Sequence, residues 1–230
     1  MAKEKFKTFE GVFDNFTNRT LFELSTKGYF EGVESPISIG KESHVFTALT
    51  DKKRVIIKIF RLETADFNRM YEYIRTDPRF LGLKKQRRKI VFAWCQREYR
   101  NLLNVREAGV PAPTPLVFKN NILIEEFIGD KTPAPKLKDQ YPKNPKKFFD
   151  EIIINMKKLH KHNLVHGDLS AFNILNYKEK PVFIDFSHTT PKKNSRFQEL
   201  LERDLKAICQ FFNKKGLKTS YETTLKKIQK

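Results

Sequence analysis

Apolar residues recur along the first half of the chain in two rhythms. SPISIG (35–40), HVFTALT (44–50) and RVIIKIF (54–60) are short runs rich in β-branched residues, the last two joined through Asp51, Lys52 and Lys53, and they predict an antiparallel meander. Ahead of them FTNRTLFELSTKG predicts a short helix, with Thr17 or Thr20 as its cap, Glu23 closing a Thr-x-x-Glu box and Gly28 stopping it. From Lys89 to Glu107 the rhythm is helical: Trp94, Glu98, Leu102 and Val105 share one face, and Gly109 ends it. PLVF (115–118) and ILIEEF (122–127) flank an Asn120-Asn121 turn and bring the strands to five. Residues 61–88 are polar and charged, with one helical patch around DFNRMYEYI and a proline at 78, and read as a partly mobile insertion.

The second half has a different texture. IGDKTPAPKLKDQYPKNPKK is rich in proline and lysine and marks a boundary. FFDEIIINMKKLHKH has the pattern of a buried helix, and KPVFID (180–185) that of a short buried strand. Ser195 and Gln198 offer a capping box for a helix to about Lys215, stopped by Gly216, and LKTSYETTLKKIQK adds one more. The expected fold is α+β in one domain over 1–230. It has an N-terminal lobe (1–128) of a five-stranded antiparallel sheet with one long helix, a hinge and linker (129–147), and a reduced, mostly helical C-terminal lobe (148–230).

Charge adds a class of partner. Forty-five basic against 27 acidic residues leave a net charge of +18, enough to draw polyanions. The basic clusters are KKQRRK (84–89), KNPKK (143–147) and PKKNSR (191–196); nucleic acid is a sensible partner, and a lysine bias spread over solvated faces is the other reading of the same composition. No run approaches the ~18 apolar residues of a membrane span, and MAKEKFK lacks the apolar core of a secretory signal, so a cytoplasmic protein without a membrane partner is expected. The two cysteines, Cys95 and Cys209, lack zinc-site spacing and read as packed thiols.

Candidate chemistry centres on LVHGDLSAFNIL (164–175). Asp168 and Asn173 lie in one loop, and Asp185 ends the next strand. A base, an amide oxygen and a second carboxylate suit phosphoryl transfer: Asp168 orients a hydroxyl while Asn173 and Asp185 ligate Mg²⁺. Upstream, Lys58 sits mid-strand in VIIKIF, where its charge needs a partner that Glu98 can provide. Lys58, Glu98, Asp168, Asn173 and Asp185 follow the order of a protein-kinase-like fold. SIGKESHVF takes the place of a phosphate-covering loop, with backbone amides near Gly40 and side chains from Ser38, Lys41 or Ser43 as phosphate contacts. His166 is read as a brace for the loop, and His44, His160, His162 and His188 receive no catalytic role.

With these residues in place, the motifs SIGKESHVF, YIRTDPRF, FAWCQREYRNL, GVPAPTPL, LIEEFIGDKTPAPKLKD, LVHGDLSAFNIL and VFIDFS resemble the RIO family of atypical protein kinases, most closely its first subfamily, from about Phe13 to Gly216. The resemblance implies a self-phosphorylating serine/threonine kinase or ATPase that uses ATP and Mg²⁺, with Mn²⁺ as an alternative ion, and acts in maturation of the small ribosomal subunit and its RNA. It implies no stable DNA partner. Adenine would meet backbone groups of Glu126 and Ile128, with Glu125 at the back of the pocket, and Asp185 would carry a transient aspartyl phosphate. The chain departs from the family at Ile39, Ser43 and His44 in the phosphate loop, at Ala171, and at Phe186-Ser187, where DFG kinases carry Phe-Gly. Gly167 stands where most protein kinases carry the arginine of HRD, and no APE-like segment follows Asp185, so weak activity on generic peptides is expected. Two other readings are a kinase-like ATPase of the KEOPS tRNA-modification complex, suggested by HGDL, and a non-catalytic RNA-binding scaffold.

Overall fold

The computed structural model describes residues 13–51 and 53–229, so MAKEKFK and Lys52 of the expected turn lie outside it. Helix α1 (Asn15–Thr26) starts earlier than a threonine cap would place it. Asp14 is the cap, accepting from the Phe16 and Thr17 amides at 3.0 Å each. Thr17 and Thr20 are instead buried, and their hydroxyls accept from the side-chain amides of Asn121 and Asn120 at 3.0 Å each. The helix therefore begins at the first competent acceptor, and the threonines tie it to the turn between two later strands. Glu23 closes no box; its carboxylate meets Lys119.

Strands β1 (Gly32–Ile39), β2 (Ser43–Leu49), β3 (Arg54–Phe60), β4 (Pro115–Lys119) and β5 (Ile122–Glu126) form one antiparallel sheet in the order β1-β2-β3-β5-β4. Alternation along the strands sends Phe46, Ala48, Val55, Ile57, Ile59, Ile122 and Ile124 into a core with Leu21 and Leu24 of α1. Lys58, between Ile57 and Ile59, consequently points from the opposite face.

The stretch that reads as an insertion is folded. Helix α2 (Phe67–Arg75) is capped by Asp66, and a 3₁₀ turn (Pro78–Phe80) follows. Met70, Tyr73, Ile74 and Phe80 are buried. Asp77 is buried too and receives the guanidiniums of Arg79 (2.6 Å) and Arg97 (2.9 Å), the latter on α3 (Arg87–Glu107). Burial would raise the Asp77 carboxyl; the two guanidiniums prevail and hold it below the usual carboxylate range.

The described residues form two compact units, those of 13–99 with 114–127, and those of 100–113 with 128–229. The second takes the end of α3 because Asn101 donates to the carbonyls of Phe186 (2.8 Å) and Thr189 (3.3 Å), and Phe183 N–H bonds Pro111 O (2.9 Å). It contains α4 (Pro145–Lys161), capped by Asn144, and two small antiparallel ladders. These pair β6 (Leu164–Val165) with β9 (Thr190–Pro191), and β7 (Ile174–Tyr177) with β8 (Lys180–Phe183). Helices α5 (Phe197–Lys214) and α6 (Tyr221–Gln229) end the unit. The Ser195/Gln198 box does not form. The helix starts after Arg196 without a side-chain cap, and Gln198 donates to Glu202 one turn on. Cys95 and Cys209 are buried free thiols, as expected.

Candidate active site

In the first unit the Lys58 ammonium lies 2.8 and 2.9 Å from the two carboxylate oxygens of Glu98. Their side chains are 9% and 1% exposed, so both charges are desolvated and depend on each other. Register fixes the geometry: Lys58 stands opposite Val45 on β2 and Leu123 on β5, in the middle of the sheet.

The hairpin that should cover phosphate is more self-contained than the sequence suggests. Gly40 N–H donates to Ser43 O at 3.0 Å, closing the turn, and a Cβ at Gly40 would lie 3.1 Å from that oxygen. Thr64 Oγ1 holds Lys41 O (3.1 Å) and Arg61 N–H holds Glu42 O (2.9 Å), while the Lys41 side chain is exposed. His44 is buried among Phe13 and Phe46, and burial, with Arg61 nearby, lowers its pKa. Glu126 at the end of β5 has its carboxylate fixed by Thr114 N (3.0 Å) and Oγ1 (2.5 Å), and its amide bonds Thr114 O (2.8 Å). Ile128, in the second unit, accepts from Ala134 N–H at 2.9 Å.

The second unit holds Asp168 in a loop gripped from three directions. His166 Nε2 lies 3.1 Å from Ile184 O and its Nδ1 accepts from Asp168 N–H (3.3 Å), so the neutral ring protonated on Nε2 satisfies both contacts. The ring packs 4.8 Å from Phe186, which makes His166 the brace expected of it. Asn173 donates from Nδ2 to Asp168 O (2.9 Å) and Oδ2 (3.2 Å), which directs its carbonyl oxygen away from Asp168. On α5, Asp204 is 1% exposed and accepts from Gly167 N (2.8 Å) and Leu169 N (2.9 Å), the amides on either side of Asp168. Burial pushes Asp204 up to about 7 against the pull of those two amides and of Arg203, which itself donates to Gly167 O.

Gly167 has φ +81°, and a Cβ there would stand 2.6 Å from His188 O. An arginine cannot occupy this position without moving the His188 backbone. Asp185 also has a left-handed backbone, φ +64°, uncommon for a non-glycine residue, and Ser187 Oγ donates to its Oδ1 at 2.9 Å. Ile184 N–H bonds Asn173 O at 3.0 Å, so the two expected cation ligands sit at adjoining backbone segments.

These donors fit Mg²⁺. An amide oxygen and a carboxylate are hard ligands, and this ion ordinarily keeps several waters and leans on one or two carboxylates and on substrate phosphates. Among the described residues no three His, Cys, Asp or Glu side chains gather as a cage, and Mg²⁺ needs none.

Sequence reasoning brought together Lys58 with Glu98, and Asp168 with Asn173. It missed Asp204 and Asn101. The signal for Asp204 is an acid within the apolar stripe of Leu200, Leu201, Leu205 and Ile208. For Asn101 it is an amide next to Leu102 on a buried helix, a weaker sign.

A family model described as the RIO domain matches residues 44–226. The chain belongs to the RIO domain family. A RIO-type serine/threonine-protein kinase Rio1 of Methanocaldococcus jannaschii is 40% identical over 227 residues, covering 98% of this chain and 78% of the relative. A protein of the same name from Thermoplasma acidophilum is 37% identical over 187 residues, covering 81% and 99%. The RIO match makes the chain an atypical kinase and does not favour the KEOPS reading. For the fold, a crystal structure of the Rio2 kinase-ADP/Mg²⁺-phosphoaspartate complex from Chaetomium thermophilum aligns with TM-score 0.70 and 22% identity. That alignment covers 91% of this chain and 65% of the solved one, so the RIO chain here spans just under two thirds of that structure's length. The likeness supports the bilobal kinase-like class.

Proposed function

We propose that this RIO domain is a serine/threonine kinase and ATPase that uses ATP with Mg²⁺, phosphorylates itself, and works in the cytoplasm on precursors of the small ribosomal subunit. The observation that carries the reading is Asp168 held between two backbone amides that Asp204 anchors, with Asn173 fixing its carboxylate. Phosphoryl transfer asks mostly for positioning and charge neutralisation, and this loop provides positioning.

In this reading Asp168 accepts the proton of the attacking hydroxyl, and Lys58, oriented by Glu98, meets the nucleotide phosphates. Asn173 and Asp185 hold Mg²⁺, which neutralises charge on the phosphates. Backbone groups of Glu126 and Ile128 face adenine. Asp185 also accepts the γ-phosphoryl group: a carboxylate oxygen bonds the γ-phosphorus, the bond to ADP breaks, and water later releases phosphate and restores the carboxylate. The phosphoaspartate named for the Rio2 structure supports this, as do the RIO-type names of the relatives for the serine/threonine assignment.

The test is a labelled-ATP incubation with Mg²⁺, followed by hydroxylamine. Asp168→Asn should abolish serine phosphorylation while nucleotide binding persists, and part of the label on the wild type should be released by hydroxylamine. Label wholly resistant to hydroxylamine excludes the acyl phosphate; full transfer by the Asp168 variant excludes the base assignment.

A further inference from the structure

Several cations of the first unit are held by carboxylates. Arg54 pairs with Glu34, Arg75 with Glu72, and Arg79 and Arg97 with Asp77. Lys84, Lys85, Arg87, Arg88 and Lys89 are all exposed, and among the described residues none of them forms an ion pair. They stand at the start of α3, a 21-residue helix with no acidic residue in its first turn. A helix N-terminus already carries partial positive charge, so five cations there repel it and one another until an anion arrives. In each of the other basic clusters one cation is paired, Lys146 of KNPKK with Asp150 and Arg196 of PKKNSR with Glu199.

A second observation specifies the partner. Three of these cations lie over aromatic rings: Lys85 is 5.3 Å from the Tyr71 centroid, Arg87 5.0 Å from Phe67 and Arg88 4.9 Å from Phe16. The rings hold the cations in place, which lowers the entropy lost when they bind phosphates. Phe67 and Tyr71, on α2, are themselves only half-buried. Fixed cations interleaved with aromatic faces suit a strand whose phosphates and unstacked bases are both available.

We propose that the start of α3, together with α2 and Phe16, is a docking surface for single-stranded RNA, with phosphodiesters on Lys84, Lys85, Arg87 and Arg88 and bases against Phe67 and Tyr71. The choice of RNA rests on the proposed action on small-subunit precursors; the position of the surface does not.

The experiment measures fluorescence anisotropy of a labelled single-stranded RNA 12-mer against the full chain, over a salt series. The triple variant Lys85→Gln, Arg87→Gln, Arg88→Gln should bind at least about tenfold more weakly and lower the slope of log affinity on log salt by about 2, at roughly 0.7 per phosphate contact for single strands. Tyr71→Leu, which keeps apolar bulk, should weaken binding about tenfold through lost stacking. The charge-matched control Lys143→Gln, Lys146→Gln, Lys147→Gln should stay within about twofold of wild type, and self-phosphorylation should be unchanged in every variant. Equal losses in both triples, or preferential loss of binding to phosphatidylserine vesicles over RNA, overturn the proposal. Arg88→Gln alone, with its melting curve, guards against a triple that misfolds; wild-type affinity in that well-folded variant also counts against it. Wild-type protein that co-sediments with small-subunit precursors while the RNA results fail sinks this inference alone, whereas absence of co-sedimentation sinks the ribosomal reading.

Discussion

Replacing Lys58 by Met, Glu98 by Leu, and both together separates what the buried pair does for stability from what it does for chemistry. At an effective dielectric of about 20, unit charges about 3 Å apart attract by about 6 kcal/mol. Taking both charges out of water offsets much of that, because the side chains are only 9% and 1% exposed. Either single change leaves one desolvated charge beside an apolar neighbour, at a cost of about 3–5 kcal/mol. Against a total stability of about 5–15 kcal/mol, that is a fifth of the total or more. The double variant removes both desolvation terms at once and puts apolar side chains in place of the pair, so it should lie within about 2 kcal/mol of wild type. Urea unfolding followed by Trp94 fluorescence gives the three differences and a coupling energy of at least about 3 kcal/mol. Phosphotransfer should be lost in the two variants without Lys58, which have no ammonium to present to phosphate, and strongly reduced in Glu98→Leu, whose ammonium has lost the carboxylate that orients it. A double variant destabilised by the sum of the singles would show that the pair is not mutually dependent, and the reasoning would fail.

At Gly167, alanine must adopt φ +81° and bring a Cβ within 2.6 Å of the His188 carbonyl, so a loss of about 2–4 kcal/mol in a thermal melt, with reduced phosphotransfer, is expected. Asp204, raised by burial to about 7 from an ordinary value near 4, favours the fold fully below about pH 4 and loses that contribution as pH rises through 7. The stability of wild type relative to Asp204→Asn should therefore fall by up to about 4 kcal/mol between pH 4 and 7; a difference flat in pH would contradict the raised carboxyl. Asp14→Ala removes two cap bonds and should cost about 1 kcal/mol in urea unfolding, whereas Ser195→Ala, which caps nothing, should leave stability within about 0.5 kcal/mol.

The strands were legible because a period of two is a local property. VIIKIF states which residues face α1, and so which face Lys58 must take, before any partner is known. The requirement that its charge find a carboxylate on the next helix follows from burial alone, which is why Glu98 could be named. Capping was less legible. Asp14, Thr17 and Thr20 are all competent acceptors, and what decides among them is Asn120 and Asn121, about a hundred residues downstream, whose amides take the threonine hydroxyls. Residues 61–88 looked loose because their composition is polar; one buried carboxylate, Asp77, answered by two guanidiniums, is enough to anchor the segment. Nothing in a linear pattern says that Arg79 and Arg97 will share it.

Asp204 and Gly167 together account for a departure that the sequence shows without explaining. In an HRD kinase the arginine side chain gives a phosphorylated segment something to bind. Here the His188 carbonyl passes so close to position 167 that no side chain fits, and the loop is instead held through its own amides. An amide bonded to a buried carboxylate does not respond to a distant phosphate. The order of the loop around Asp168 is thus set when α5 packs, by Leu200, Leu201 and Leu205 on the same face as Asp204. Position 167 therefore offers a phosphorylated segment no side chain to bind.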